Sequence, residues 1–272
     1  MTMESPFPKL LITDLDGTAL GGFRPYSRLP DPFSRFLERL DRHGCRWVTN
    51  TAWDSGPQVD LVLGSELSSL PAYISGGVGL DLCRLQGDRL EAVEPYTSAM
   101  HDRLRAAQEA SFRPFIRDIC ARFDAAFIAF NGGVWFAFTP VEDQVEPLFR
   151  YVKEAYGAHP DLNIRLLPEE KRFHAHPAFL TKASIVDELA RLERLSPAEL
   201  IVAGDELPDL AMMDPKRVKY AICPGNAHPE VKERVRSMGG AVGTRSFGPG
   251  VIEAFCLLAR AEGWSWDSAP LV

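Results

Sequence analysis

LLITDLDGTAL, Leu10 to Leu20, decides the fold. Three apolar residues and a threonine run straight into two aspartates separated by one residue, and Gly17-Thr18 follows. A strand that is apolar along its whole length belongs to a parallel sheet covered on both faces. Ligands of such sheets sit at the carboxyl ends of the strands. Asp14 and Asp16 occupy that end of Leu10–Thr13. Residues i and i+2 point to the same side while the backbone stays extended, and Gly17 permits the sharp turn that must follow.

Two neighbouring carboxylates repel, and burial makes the repulsion worse. A proton or a cation has to offset them. With oxygen ligands only, the fitting cation is Mg²⁺. A metal site of this kind requires a further carboxylate from another strand end. IVAGDELPDLAMM supplies it: Asp205 follows the apolar run Leu200–Ala203, Gly204 allows close backbone approach, and Asp209 lies one helical turn further on. Aspartates after strands also serve as helix N-caps, which suffices for Asp209 taken alone. Capping does not account for two acidic clusters that each directly follow an apolar strand.

The rest of the chain repeats strand–helix alternation. Asp31–His43 has helical spacing, with Phe33, Phe36, Leu37 and Leu40 on one face and Gly44 as its stop. Arg46–Asn50, Ala72–Ser75, Tyr220–Cys223 and Ala241–Val242 read as further strands. The expected fold is α/β, a doubly wound and mostly parallel sheet. The middle differs. Leu82–Val93 reads as a hairpin about Gly87-Asp88, Pro95–Phe123 as a helix, and Ala126–Phe130 with Val134–Phe138 as a second hairpin about Asn131-Gly132-Gly133. Pro147–Tyr156 follows as a helix and Ile164–Leu167 as a strand. An α+β domain is therefore expected to be inserted at residues 81–178, between core segments 1–80 and 179–272.

The chain has 272 residues, 46% hydrophobic and 25% charged, with a net charge of −7. Such an acidic balance argues against a nucleic-acid partner, which needs a basic face. The five cysteines show no CxxC spacing, so zinc and a disulfide framework are not expected. MTMESPFPKL lacks the order of a signal peptide, and no apolar run approaches a membrane span. The expectation is a soluble cytoplasmic protein without a membrane partner.

With these motifs in place the chain resembles the haloacid dehalogenase superfamily of hydrolases. DLDGT is similar to that family's nucleophile motif, GDELPD to its last acidic motif, and Lys182 in FLTKASIVDEL to its lysine at a helix start. Thr51 in WVTNTAWD is similar to its second-motif hydroxyl residue, with Thr49 as the rival register. CPGNAHPEVK, Cys223–Lys232, resembles a segment of the Cof-type and sugar-phosphatase branch, whose members carry an α/β cap where this chain has its insert. The resemblance implies a Mg²⁺-dependent phosphatase that works through an aspartyl-phosphate on a small phosphorylated metabolite, a sugar phosphate or related acid. Asp14 would be the nucleophile and Asp16 the general acid and then base. Lys182 and Thr51 would hold the phosphate. Asp14, Asp205 and the backbone carbonyl of Asp16 would hold the metal, with Asp209 acting on it through water or as an orienting group. A phosphomutase with the same aspartyl-phosphate, or a low-turnover regulatory protein, is the alternative. The motifs say nothing of oligomeric state.

Some residues depart from the family pattern or stay open. Pro208 stands where Asn is usual, and Ala52-Trp53 where Gly-Arg is frequent. Trp53 is either core or a stacking surface for a sugar ring. Asn226 either caps a helix or faces the substrate. The glycines of SGGVGL, Ser75–Leu80, form a turn or a hinge into the insert. Arg172, His174 and His176 in KRFHAHP read as structural before functional, and the aromatic run VWFAF as core of the insert.

Overall fold

The computed structural model describes residues 6–22, 26–65, 67–131 and 134–266. Gly132 and Gly133 of the second expected turn, and the first five residues of the N-terminal stretch, lie outside them. Along the chain run β1 (Leu10–Thr13), α1 (Asp31–Arg42), β2 (Arg46–Asn50), α2 (Ser55–Leu63), β3 (Tyr73–Gly76), β4 (Asp81–Gln86), β5 (Arg89–Ala92), α3 (Tyr96–Ala107), α4 (Arg113–Arg122), β6 (Ala125–Asn131), β7 (Trp135–Pro140), α5 (Val145–Tyr156), β8 (Leu162–Leu167), β9 (Arg172–Pro177), α6 (Ala183–Glu193), β10 (Leu200–Ala203), β11 (Tyr220–Cys223), α7 (Pro229–Ser237), β12 (Ala241–Val242) and α8 (Phe247–Glu262). They divide into two units. One comprises the described residues up to Thr97 and from Thr181 onward; the other is Ser98–Leu180.

In the first unit eight strands form one sheet in the order β12-β11-β10-β1-β2-β3-β4-β5. The six strands from β12 to β3 are mutually parallel. The strand β1 lies between β10 and β2, with Thr13 opposite both Ala203 and Thr49. Because the three strands end in register, Asp14, Thr51 and Asp205 leave the sheet at one rim. Every side chain of β1 is buried, as the unbroken apolar run requires. One face packs Phe33, Phe36 and Phe255 of α1 and α8. The other packs Ile185 and Leu189 of α6 with Val231 and Val235 of α7. The α1 helix has the expected apolar face, and Gly44, at φ +79°, turns the chain away just beyond it.

The first hairpin corrects the expected boundary. Residues 81–92 do not belong to the inserted unit. They extend the large sheet, with β4 antiparallel to β3 through Ile74↔Cys83 and β5 antiparallel to β4. The expectation failed because a hairpin pattern does not reveal which sheet its edge joins. The glycines of SGGVGL accordingly form the turn between β3 and β4. Gly77, Val78 and Gly79 are all left-handed there (φ 61°, 58° and 87°), and only Val78 carries the cost of a Cβ in that region.

The second unit is a four-stranded antiparallel sheet, β6-β7-β9-β8, with helices on one face. Phe136, Phe138, Phe173 and Ala175 point to the helices and pack with Phe112, Phe115 and Leu148. The aromatic run is core, as read from the sequence. KRFHAHP is an inner strand, which the sequence reading missed. Its alternation is nonetheless regular: Phe173, Ala175 and Pro177 are buried, whereas Arg172, His174 and His176 are half-buried on the opposite face. Burial, reinforced by Arg172, lowers His174 to about 4, and burial lowers His176 as well. Both rings are therefore neutral near pH 7, in keeping with a structural role. The long helix expected from Pro95 to Phe123 is interrupted by a π turn at Gln108–Phe112, just before Pro114. Proline lacks the N–H that a regular helix needs there.

All five cysteines are free. Among the described residues no helix is long and apolar enough to cross a membrane.

Phe36 is fully buried and meets the Phe33, Phe255 and Trp266 rings at 5.3–6.0 Å. Phe36→Ala is expected to lower unfolding stability by about 3–5 kcal/mol, read by urea denaturation. A loss below about 1 kcal/mol would show that this face of the sheet is not the closely packed layer described.

Candidate active site

The rim of the large sheet gathers three buried carboxylates around one ammonium. The backbone N–H of Asp14 still donates to Ala203, at 3.0 Å, continuing the β1–β10 ladder. This fixes the side chain at the strand end. Its Oδ1 accepts from the Leu15 N–H at 2.7 Å, and its Oδ2 lies 2.9 Å from Lys182 Nζ. Lys182 is 4% exposed and also meets Asp209 Oδ1 at 2.5 Å. It stands at the N-cap of α6, where the helix dipole disfavours a cation, and its two carboxylate partners offset that. Burial alone would lower its pKa, but Asp14 and Asp209 together raise it. It is a fixed positive charge at any working pH.

Asp205 stands two residues past the end of β10, after Gly204. Its Oδ1 accepts from the Thr18 hydroxyl at 2.6 Å. Gly17 sits against this carboxylate at φ +76°, and a Cβ at position 17 would collide with it. The glycine is therefore needed for both its backbone angle and its lack of a side chain. Asp209, fully buried, accepts from the Asp205 and Glu206 N–H groups through Oδ2, both at 2.9 Å. It caps the short 3₁₀ turn Leu207–Ala211 while it pairs with Lys182. Gly204 leaves the space that the Asp209 carboxyl fills. Pro208 falls in the first turn of that segment, where its missing N–H is harmless.

Asp14, Asp205 and Asp209 each present an oxygen within 4.8 Å of the other two. Burial raises Asp14 to about 6, against the pull of Lys182. Burial raises Asp205 to about 7, opposed by the Thr18 hydroxyl and reinforced by Asp14 and Asp209. Three acids facing one ammonium leave excess negative charge, and the donors are all hard oxygens. This set suits a hard divalent cation. Asp14 and Asp205 are the carboxylates most available to it, because the oxygens of Asp209 already accept three hydrogen bonds. The Asp16 side chain is not in this cluster: its Oδ2 accepts from Trp53 Nε1 at 2.7 Å.

The two threonines of VTNT separate clearly. The Thr49 hydroxyl donates to Gln58 Oε1 at 2.5 Å and is buried inside the unit. Thr51 directly follows the end of β2, beside the rim, with its carbonyl held by the Val78 N–H at 3.2 Å. Asn226 does not cap α7, whose N-cap is His228. Its Nδ2 donates to the Gly17 carbonyl at 2.8 Å, and its Oδ1 accepts from the Phe247 N–H at 2.7 Å. It ties the turn after Asp16 to the start of α8, and those bonds engage both ends of its amide.

Two contributors went unassigned in the sequence. Thr18, inside DLDGT, orients Asp205. Asn50 donates to the Lys182 carbonyl at 2.9 Å and so anchors the segment that bears the ammonium. Their signal was adjacency to the motifs: Thr18 stands two residues after Asp16, and Asn50 directly before Thr51.

Asp14 and Asp205 bind protons more tightly folded than unfolded, where both have the ordinary 3.8. Their stabilising effect is complete below that value and is lost as pH rises through 6 to 7. In the metal-free protein, Asp205→Asn is expected to match wild type at pH 4. By pH 8 it is expected to be more stable by up to about 4 kcal/mol. Thermal denaturation at the two pH values measures the gap, and a gap that fails to widen would refute the crowding of charge at Asp205.

Comparisons with known proteins place this rim in context. Residues 168–240, which include Lys182, Asp205 and Asp209, match the family model described as haloacid dehalogenase-like hydrolase. No curated protein matches the sequence. Among solved structures, the chain is similar to a Synechocystis sucrose-phosphatase in complex with sucrose and phosphate (TM-score 0.65, 16% identity, 96% of this chain and 100% of that chain). It is also similar to a Thermoplasma acidophilum protein (TM-score 0.63, 15% identity, 95% and 99% covered). A Bacteroides thetaiotaomicron phosphatase of the haloalkanoate enzyme superfamily gives a TM-score of 0.57 at 12% identity, with 94% and 96% covered. At such identities the likeness is one of fold. The family model spans the lysine and last acidic motifs, so residues 168–240 are similar to the haloacid dehalogenase-like hydrolases, and DLDGT stands at the end of a central strand of the same sheet.

Proposed function

We propose that this protein is a Mg²⁺-dependent phosphatase that cleaves a small phosphorylated metabolite, a sugar phosphate or related acid, through an aspartyl-phosphate on Asp14. The observation that carries the reading is the pairing of Asp14 with Lys182 at 2.9 Å, with a second aspartate two residues on. A carboxylate needs no base to act as a nucleophile near neutral pH. It does need its charge offset before a phosphate dianion can approach. Lys182 supplies part of that offset.

Asp14 and Asp205 would hold the metal, with the Asp16 carbonyl, and bound Mg²⁺ would supply the remaining positive charge at the carboxylates and the phosphate oxygens. Asp209 keeps Lys182 and the 205–206 backbone in place. In the first half-reaction an Asp14 oxygen bonds to phosphorus as the ester P–O bond breaks. Asp16 gives its proton to the departing alkoxide. In the second half-reaction a water oxygen bonds to phosphorus, the P–O bond to Asp14 breaks, and the water's proton goes to Asp16. Lys182 and the Thr51 hydroxyl hold the phosphoryl oxygens while charge spreads over them. A second aspartate suits ester cleavage, because an alkoxide requires protonation and a halide does not. The sugar preference draws on the Synechocystis neighbour, whose crystals hold sucrose and phosphate.

Phosphate release from a panel of phosphorylated sugars, acids and nucleotides tests the reading. Wild type with Mg²⁺ is expected to turn over one class. Activity is expected to vanish in EDTA and to fall by at least about 10³-fold in Asp14→Asn. Turnover that persists in Asp14→Asn would exclude the aspartyl-phosphate. Movement of phosphate within the substrate, without release, would assign a mutase instead.

A further inference from the structure

Trp53 is held from three sides. Its carbonyl accepts from the Gly77 N–H at 2.9 Å and from Gln58 Nε2 at 3.4 Å. Gly76 leaves the space this carbonyl needs, since a Cβ there would come within 2.6 Å of it. The indole lies 16° from parallel to the Tyr26 ring, with centroids 6.1 Å apart. So fixed, Nε1 donates to Asp16 Oδ2 at 2.7 Å. An indole N–H is a donor only. In this bond Oδ2 must be the acceptor, whether or not Asp16 carries a proton. A carboxylic acid has one hydroxyl oxygen and one carbonyl oxygen. The carbonyl oxygen is the stronger acceptor of the two, so an N–H aimed at Oδ2 favours that oxygen as the carbonyl and the proton on Oδ1.

We propose that Trp53 is a positioning residue for the reaction: its N–H selects Oδ1 of Asp16 as the oxygen that hands over and takes back the proton. The inference rests on the reading of Asp16 as general acid. When the ester P–O bond breaks, the Oδ1–H proton passes to the leaving oxygen, and Oδ1 becomes carboxylate. When water attacks the phosphoryl-Asp14, its proton returns to Oδ1, and the enzyme is restored. Throughout the cycle Oδ2 stays on the indole, so the carboxyl cannot rotate to present the wrong oxygen. Proton transfer depends on such alignment within hydrogen-bond reach.

Trp53→Phe keeps a ring over Tyr26 and removes the donor. Phenyl phosphate and p-nitrophenyl phosphate are the paired probes, alike in shape but unlike in how much the leaving oxygen needs a proton. The ratio of kcat on phenyl phosphate to kcat on p-nitrophenyl phosphate is expected to fall about tenfold in the variant, part of the roughly 10²–10⁴-fold that general acid catalysis supplies. KM is expected to stay within about twofold for both esters. Equal slowing of both esters would overturn the proposal and leave Trp53 a packing residue. A rise in KM with kcat unchanged would overturn it in favour of substrate stacking. A wild type that releases phosphate from neither these esters nor any member of the panel above would remove the phosphatase reading, and this one with it. An independent measurement does not depend on Trp53→Phe. Among the five indole N–H signals, Asp16→Ala is expected to speed the hydrogen exchange of one. No change in any of the five would overturn the bond.

Discussion

Lys182 is the one ammonium among three buried acids, and the rim depends on it. An unpaired buried charge costs several kcal/mol, and so does a buried carboxylate with no partner. Here each makes the other tolerable. Lys182 touches both Asp14 and Asp209, Asp209 holds the 205–206 backbone, and Asp205 is held in turn by Thr18. The fold brings three segments, residues 14–18, 182 and 205–209, to one rim through a network that still leaves net negative charge. Burial, reinforced by the neighbouring carboxylates, lifts Asp14 and Asp205 toward neutral pH, and the surplus negative charge suits a hard cation.

Much of this was legible in the chain. DLDGT and GDELPD each follow an unbroken apolar run, and a buried parallel strand has few other ways to end. The strands β1, β2, β10 and β11 fall where their apolar runs do. Lys182 was legible from its place at a helix start. The Thr49 and Thr51 alternatives were not separable in sequence, because both are hydroxyls near one strand end. The Gln58 partner of Thr49 comes from a helix that periodicity places but cannot aim.

Other failures share a cause. The 81–92 hairpin was recognised as a hairpin and placed in the wrong unit, because ladder partners are chosen by neighbours distant in sequence. KRFHAHP reads as a basic cluster when its charges are counted and as a strand when its alternate positions are. Phe173 and Ala175 decide for the strand, since burying them yields more than solvating the histidines. Asn226 looked like a cap or a ligand contact. It braces the Gly17 turn against the first N–H of α8 and also reaches Asp205 Oδ2 at 3.5 Å, contacts that depend on three-dimensional proximity alone.

The placement of β1 has a bearing on how the chain acquires its structure. This central strand pairs with β10, some 190 residues later in the chain, and the ammonium that neutralises Asp14 also comes from beyond the second unit. The antiparallel sheet of residues 98–180, by contrast, finds its partners within itself. Contacts of long sequence separation form late, since the intervening loop must first be closed. During synthesis the middle of the protein is therefore able to fold while the first strand and its two aspartates still wait for residues 182–203. The acidic rim thus forms after the antiparallel unit that precedes half of its parts in the chain.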